Sequence, residues 1–218
     1  MLSIDVVSDV ICPWCFIGVR RLDQALESLP EPVDAKVTFH PFLLDASTPA
    51  EGADLRDRLR AKYGVDPEKM FGRVEAAARE SGIPLDFSKV RRTPNTVAAH
   101  TLIGHAVEKG TQRALAGALF QAYFLDGRDI GDATVLGELA TLHGFEHDEA
   151  IRLATDATEL AKTRQRGFGC RGGRHHRGAV LRVRRSRGCE RGPTGGAPTR
   201  RHRQGDGVRL TSGMSVRS

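Results

Sequence analysis

The sequence lacks the features of an exported or membrane-spanning protein. No run of residues approaches the roughly 20 apolar side chains that a membrane helix needs. The first five residues carry no basic segment, and Asp5 and Asp9 interrupt the first apolar run, so no signal peptide is indicated. We therefore expect a cytoplasmic protein whose cysteines rest as thiols, because the cytosol keeps disulfides transient.

Cysteine is also scarce, with four in 218 residues. Cys12 and Cys15 form a single CxxC pair, whereas Cys170 and Cys189 stand alone. A structural zinc site needs about four ligands, and the histidines are too scattered to complete one. We therefore expect no metal, and a redox-active pair is favoured over an inert pair of buried thiols.

Acidic residues are nearly absent after residue 161. Residues 162–218 carry a net charge of +14, against −8 for residues 1–161. The sequence thus joins an acidic protein to a basic, Gly- and Arg-rich tail. Such a tail could neutralise nucleic-acid phosphates, but Phe168 is its one aromatic residue and no DNA-binding motif is present. Specific nucleic-acid binding is therefore the less favoured alternative.

The hydrophobic pattern predicts an α/β protein. Residues 2–7 and 33–42 are typical of strands, and residues 16–29 between them have helical spacing. This strand–helix–strand unit occupies residues 1–50. Residues 51–161 contain only helical segments and are predicted to form an insert. Residues 162–218 have no sustained period of 2 or 3.6, so we expect them to be disordered. Ala179 to Val183 has some β character, and an added strand at a sheet edge is the alternative for that segment.

The Cys12-Pro13-Trp14-Cys15 motif lies where the first strand meets the helix. Two intervening residues bring both sulfurs to the first helical turn, where unpaired N–H groups favour a thiolate. Cys12 is the predicted nucleophile and Cys15 the resolving thiol. Pro13 sets the helical φ angle, and Trp14 offers apolar contact area beside the sulfurs.

These residues resemble the DsbA-like thioredoxin-fold family, and most of all its FrnE-type subgroup, also called 2-hydroxychromene-2-carboxylate isomerase-like. The resemblance spans residues 1–161. It rests on residues 9–18 (DVICPWCFIG), 40–44 (HPFLL), 94–96 (PNT) with His100, and 120–124 (FQAYF).

The resemblance implies a thioredoxin-like fold with a large helical insert. It also implies thiol–disulfide oxidoreductase or disulfide isomerase activity on protein or small-molecule thiols, with no bound cofactor and glutathione as a possible co-substrate. Related isomerases carry serine at the position of Cys12, so redox chemistry is favoured over a glutathione-dependent isomerase or transferase. Asn95 is a candidate contact on the active-site side, or else a helix cap. His100 is interpreted as a packed helix residue.

The family's later core strand, Gly-Val-Pro-Phe-Phe with a cis-proline facing the dithiol, is missing from this sequence. The codons of Ala179 to Arg184, read one base later, permit Pro-Phe-Phe-Val-Phe-Asp. The codons of residues 175–178 and 189–194 permit neighbouring family segments in the same way. We infer a frameshift between Ala161 and Gly167. The sequence thus predicts a core that lacks its C-terminal part, an unpaired sheet edge and a chain that could be an inactive, truncated product.

Overall fold

The computed structural model describes residues 2–30, 34–169 and 180–185. The described elements, in chain order, are β1 (Leu2–Ser8), α1 (Pro13–Glu27), β2 (Ala35–Pro41), β3 (Ala53–Asp54), α2 (Leu55–Tyr63), α3 (Pro67–Glu80), β4 (Arg92–Thr93), α4 (Val97–His105), α5 (Gln112–Phe124), α6 (Ala133–Thr141), α7 (His147–Thr155), α8 (Ala157–Gly169) and β5 (Val180–Arg185). None of the helices in these residues is both long and apolar enough to cross a membrane.

β1 and β2 are parallel neighbours joined by α1. Ile4 lies opposite Val37, and Val6 lies opposite Phe39. Ile4, Val6 and Phe39 are almost fully buried, because alternate side chains of each strand face the helices that cover the sheet. Parallel neighbours require a crossover connection, which α1 supplies. The predicted α/β fold with abundant helix is confirmed, and β1, α1 and β2 follow one another in the predicted order.

The prediction of disorder after residue 161 is wrong for residues 162–169, and for residues 180–185 the alternative, an added edge strand, is what the structure has. α8 continues through Gly169, and β5 pairs antiparallel with β1, giving the strand order β2-β1-β5. In this register Leu181 lies opposite Val6, and Val183 lies opposite Ile4. Apolar residues thus alternate with arginine at the period of a strand, so this segment can pair with β1 and cover the edge that was expected to be open. The rest of the predicted disordered tail, 170–179 and 186–218, lies outside the described residues.

A side-chain amide closes the outer edge of β2. Gln112, at the start of α5, accepts a hydrogen bond from the Phe39 N–H at 2.9 Å and donates one to the Phe39 carbonyl at 3.1 Å. Its amide also donates to the carbonyl of Ile103 at 3.2 Å. Gln112 therefore pairs with the backbone as a neighbouring strand would, and it ties the sheet to the helical insert.

A Gln112→Ala substitution should lower the free energy of unfolding by about 2–4 kcal/mol. It leaves a buried N–H and two buried carbonyls without their partner, and each unsatisfied group costs about 1–3 kcal/mol before relaxation. Gln121→Ala on the exposed face of the same helix is the matched control, with an expected change within about 0.5 kcal/mol. Urea unfolding of both variants measures the difference. Equal effects would show that the edge contact adds no stability.

An aromatic cluster fixes α1 against the insert. The ring of Phe16 stacks on Phe120 and Phe124, with centroid separations of 5.3 and 5.7 Å. Phe87 meets Phe124 edge-on and stacks against Phe71. Because Phe16 directly follows Cys15, this cluster fixes the first turn of α1, where the dithiol lies.

Candidate functional site

The dithiol is formed by the loop that leaves β1 and by the first turn of α1. Cys12 is the N-cap residue of α1, with extended backbone angles (φ −91°, ψ 112°), and Pro13 occupies the first turn. The Cys12 N–H donates to the Asp9 carbonyl at 3.0 Å, and the Cys12 carbonyl accepts from the N–H of Cys15 at 3.0 Å and of Phe16 at 3.2 Å. This turn places both cysteines together at the positive end of the helix, as the sequence predicts.

Both thiols are free and shielded from solvent. Cys12 is 5% exposed and Cys15 is 1% exposed. Neither thiol is open to solvent, but Cys12 is the more accessible of the two. Its position before the helix, rather than one turn within it, places it on the side from which another molecule could approach.

The two thiols differ in acidity. The hydrogen bond from the Cys15 thiol lowers the pKa of Cys12, and the N–H groups of Cys15 and Trp14 act in the same direction, whereas burial and the charge of Asp9 oppose them. The same hydrogen bond, together with burial and the charge of Cys12, raises the pKa of Cys15 well above its ordinary value. Cys12 is therefore the better thiolate, and Cys15 holds the proton.

Replacing the thiol at position 15 should reveal this hydrogen bond. We expect Cys15→Ala to raise the pKa of Cys12, because the largest stabilising donor is lost, while Cys15→Ser retains an O–H donor. The rate of iodoacetamide alkylation at Cys12, followed against pH by peptide mapping, should inflect at higher pH in the Ala variant than in the Ser variant. Coincident profiles would mean that the thiol at position 15 does not tune Cys12.

One exposed aromatic side chain belongs to the dithiol motif, and a second, on α2, is influenced by the charge of Cys12. Trp14 is 40% exposed and Tyr63, at the end of α2, is 48% exposed. Partial burial raises the pKa of Tyr63, and the charges of Cys12 and Asp45 contribute, which links this ring to the dithiol. The Lys62 ammonium lies 5.6 Å from the centre of the Tyr63 ring. Sequence analysis included Trp14 but missed Tyr63, because no local pattern links α2 to residues 12–15.

Asp9 is a second residue that sequence analysis did not assign a role. Its carboxylate is buried and accepts hydrogen bonds from the N–H of Leu44 at 2.7 Å and of Ile11 at 3.4 Å. The Nε2 atom of His100, on α4, lies 3.3 Å from the same carboxylate. The segments around residues 9, 44 and 100 all belong to the resemblance noted above. These segments could have indicated a shared site, because the structure brings residues 9, 44 and 100 into contact.

The hydrogen bonds of the Asn95 side chain are made away from the dithiol. Its amide donates to the Thr48 carbonyl at 2.8 Å and accepts from the Val97 N–H at 3.1 Å, which fits the helix-capping interpretation. The side chain lines an open cavity of about 190 Å³ that Glu51, Asp129 and Asp132 also line. None of its hydrogen bonds to the described residues reaches Cys12 or Cys15.

No metal site is evident in the part of the chain that the structure describes. No three side chains of His, Cys, Asp or Glu come together there in a way that could hold an ion. Cys170 and Cys189 lie outside these residues, so their positions relative to the dithiol are not described.

Residues 3–167 match the model of the DSBA-like thioredoxin domain. The chain is 28% identical over 148 residues to the uncharacterised protein YwbO of Bacillus subtilis, covering 66% of this chain and 68% of that one. Its fold is similar to that of a probable DsbA oxidoreductase from Streptomyces coelicolor, with a TM-score of 0.74, 25% identity and coverage of 84% and 80% of the two chains.

The fold is also similar to that of the cytosolic disulfide reductase DsbM from Pseudomonas aeruginosa. The TM-score is 0.59 at 18% identity, with coverage of 84% and 85%. The structure of DsbM with GSH gives a TM-score of 0.54 at 16% identity, with coverage of 83% and 85%. The family match spans most of the chain and includes the strand, the dithiol and the helices described above. The chain therefore belongs to the DsbA-like thioredoxin family, whose members include oxidoreductases.

Proposed function

We propose that this protein is a thiol–disulfide oxidoreductase that uses Cys12 as its nucleophile and Cys15 as its resolving thiol. The observation that carries the proposal is the placement of the pair: Cys12 is the N-cap residue of α1 and the more exposed thiol, and Cys15 lies within the first turn. The lowered pKa of Cys12 and the raised pKa of Cys15 agree with this placement. A thiolate attacks disulfides and a thiol does not. A pair with one thiolate and one protonated neighbour is suited to attack first and resolve second.

The exchange proceeds in two balanced steps. The Cys12 thiolate attacks one sulfur of a substrate disulfide, so that a mixed disulfide forms and the other substrate sulfur leaves as a thiolate. Cys15 then gives its proton to the substrate thiolate released in the first step, and its sulfur attacks Cys12. The Cys12–Cys15 disulfide forms and the second substrate thiolate leaves. The substrate gains two electrons and the dithiol loses two, and the reverse sequence oxidises a substrate dithiol.

The surface beside the dithiol favours a thiol-bearing partner with apolar or planar groups. Trp14 and Tyr63 supply exposed aromatic area, and Lys62 next to Tyr63 could attract a carboxylate. Protein thiols and glutathione both fit this description. The DsbM neighbour, whose structure includes GSH, supports glutathione as a low-molecular-weight partner. A cytoplasmic location agrees with resting thiols and is part of the proposal.

Reaction with oxidised glutathione tests the proposal. We expect the reduced protein to form the Cys12–Cys15 disulfide and release two molecules of reduced glutathione, because Cys15 displaces glutathione from Cys12. Peptide mapping after acid quenching identifies the bond. Replacing Cys170 and Cys189 by serine in every sample removes competing thiols.

The Trp14→Ala variant tests the contact surface under the same conditions. It should slow the second-order reaction with a peptide disulfide by several-fold while leaving the bond formed unchanged. Failure of the parent protein to form either a mixed disulfide at Cys12 or the Cys12–Cys15 bond would overturn the proposed activity.

A further inference from the structure

The carboxylate of Asp9 is buried beneath the loop that carries Cys12. The residue is 1% exposed, and its own carbonyl accepts the Cys12 N–H. Burying a carboxylate is costly unless hydrogen bonds or an opposite charge compensate. Three elements provide donors: the dithiol loop through Ile11, the segment after β2 through Leu44, and α4 through His100.

His100 differs from the other two donors because it is a side chain and is itself buried. The ring is 3% exposed and comes from a position 91 residues along the chain from Asp9. An ionised carboxylate can only accept hydrogen bonds, so this contact requires the tautomer of His100 in which Nε2 carries the hydrogen. The contact joins the dithiol loop to the helical insert.

The charge of Asp9 acts on the dithiol. It opposes the lowering of the Cys12 pKa, which the Cys15 hydrogen bond causes. It adds to the raised pKa of Cys15, after the hydrogen bond with Cys12, and to that of Tyr123 on α5, after burial. These three groups and His100 are the titratable side chains shown to interact with Asp9. Lys62 is linked to Asp9 only through Leu44. Its ammonium donates a hydrogen bond to the Leu44 carbonyl at 3.3 Å, and the Leu44 N–H donates to Asp9. The partner of Asp9 therefore controls how strongly its charge opposes a thiolate at Cys12.

We propose that His100 is a positioning residue for the exchange reaction, acting through Asp9 to keep Cys12 reactive. Its hydrogen bond orients the carboxylate and offsets its charge, so that less of that charge reaches the Cys12 sulfur. His100 does not touch the substrate or either thiol in this scheme. The role depends on the proposed function, because it concerns the nucleophile of that reaction.

A purely structural tie between α4 and the dithiol loop would look similar in the fold but behave differently in solution. It would change the thermal stability of the protein and leave the acidity of Cys12 as it was. The deciding measurement is therefore the pH profile of Cys12 alkylation by iodoacetamide, with Cys170 and Cys189 replaced by serine. This reaction needs no disulfide exchange, so it remains informative even if the proposed activity fails.

His100→Met removes the donor and retains an apolar side chain. We expect a shift of about one pH unit in the Cys12 profile, which corresponds to about tenfold slower alkylation below the inflection. His100→Gln retains an N–H donor and should stay within about threefold of the parent protein. His105→Met, on the same helix but half-exposed and paired with Glu159, is the matched control and should not move the profile.

Combining His100→Met with Asp9→Asn tests whether His100 acts on Cys12 through Asp9. Asp9→Asn alone should lower the pH at which Cys12 inflects, because the opposing charge is gone. His100→Met should then have no further effect in the Asp9→Asn background, since interaction through Asp9 would be absent. An unchanged profile or a shift to lower pH in folded His100→Met, or an equal shift in both backgrounds, would overturn the proposal. If His100→Met does not fold, an Asp9→Asn profile at or above that of the parent protein would also overturn it.

Discussion

Cys12→Ser should reduce disulfide exchange by at least about a thousandfold, to the uncatalysed background. The serine hydroxyl retains the shape of the site but is not ionised near neutral pH, so it cannot attack a disulfide sulfur. Cys15→Ser should instead leave the first step intact and stop at the mixed disulfide, because nothing resolves it. Insulin reduction in the presence of dithiothreitol measures the rate. Mass spectrometry of the protein mixed with a disulfide substrate without dithiothreitol, and then quenched with acid, identifies the trapped adduct.

For each variant, one outcome would contradict a different part of the proposal. Exchange that survives Cys12→Ser in a background without Cys170 and Cys189 would show that Cys12 is not the nucleophile. Labelling of Cys15 in preference to Cys12 would reverse their roles. Full multiple-turnover activity in Cys15→Ser, with consumption of glutathione, would favour the glutathione-dependent branch of the family, because glutathione would then take the place of the resolving thiol.

Local patterns were sufficient to predict the part of the site that is contiguous in sequence. Alternation around Val37 and Phe39 predicted β2, which spans Ala35–Pro41 rather than residues 33–42. The CxxC spacing placed Cys12 at the start of α1, although the helix begins at Pro13, three residues before the predicted segment. Proline accounts for that difference, since it fits the first helical turn without needing a donor.

Pairings across long sequence separations could not be predicted in this way. Gln112 and Phe39 are 73 residues apart, and His100 and Asp9 are 91 apart. Hydrophobic periodicity assigns a residue to one face of a helix or strand. It does not show which polar group of another element will form a hydrogen bond with that residue. His100 fits an apolar helix face, so the packing interpretation was reasonable and incomplete: the ring is buried, and it is also hydrogen-bonded to the dithiol loop.

The tail shows how composition can mislead over a short segment. An excess of Gly and Arg over residues 162–218 predicted disorder, with an added edge strand around Ala179 to Val183 as the alternative. Residues 180–185, in which apolar and basic side chains alternate from Leu181 to Arg184, pair with β1. Strand formation needs only a short matching segment and a free edge. Average composition cannot exclude it. A test of the frameshift must therefore compare the stability and activity of the two proteins, and not the disorder of residues 162–218.

Restoring the reading frame near residue 164 should raise the midpoint of thermal unfolding by about 10 °C or more and increase soluble yield. The restored segment, Pro-Phe-Phe-Val-Phe-Asp, would fall on the positions of Ala179 to Arg184, most of which pair with β1. Burying a large apolar side chain contributes about 1.5–3 kcal/mol, and about 3 kcal/mol corresponds to about 10 °C in a protein of this size. Circular dichroism and the insulin assay compare the two proteins.

The exchange rate should rise together with stability, because the restored proline would stand next to the strand beside β1 and, by the family resemblance, face Cys12. A chain ending at Gly169 shows whether a gain in stability comes from losing the basic tail or from gaining the restored strand. If it is as stable as the restored protein, the gain comes from removing residues 170–218, whose net charge of +11 repels itself, and not from the restored strand. If the chain as given unfolds cooperatively at the same temperature as the restored protein and exchanges disulfides at the same rate, residues 162–218 are a genuine part of the fold. The inference from the genetic code would then be wrong, and β5 in its present sequence would be sufficient to complete the sheet.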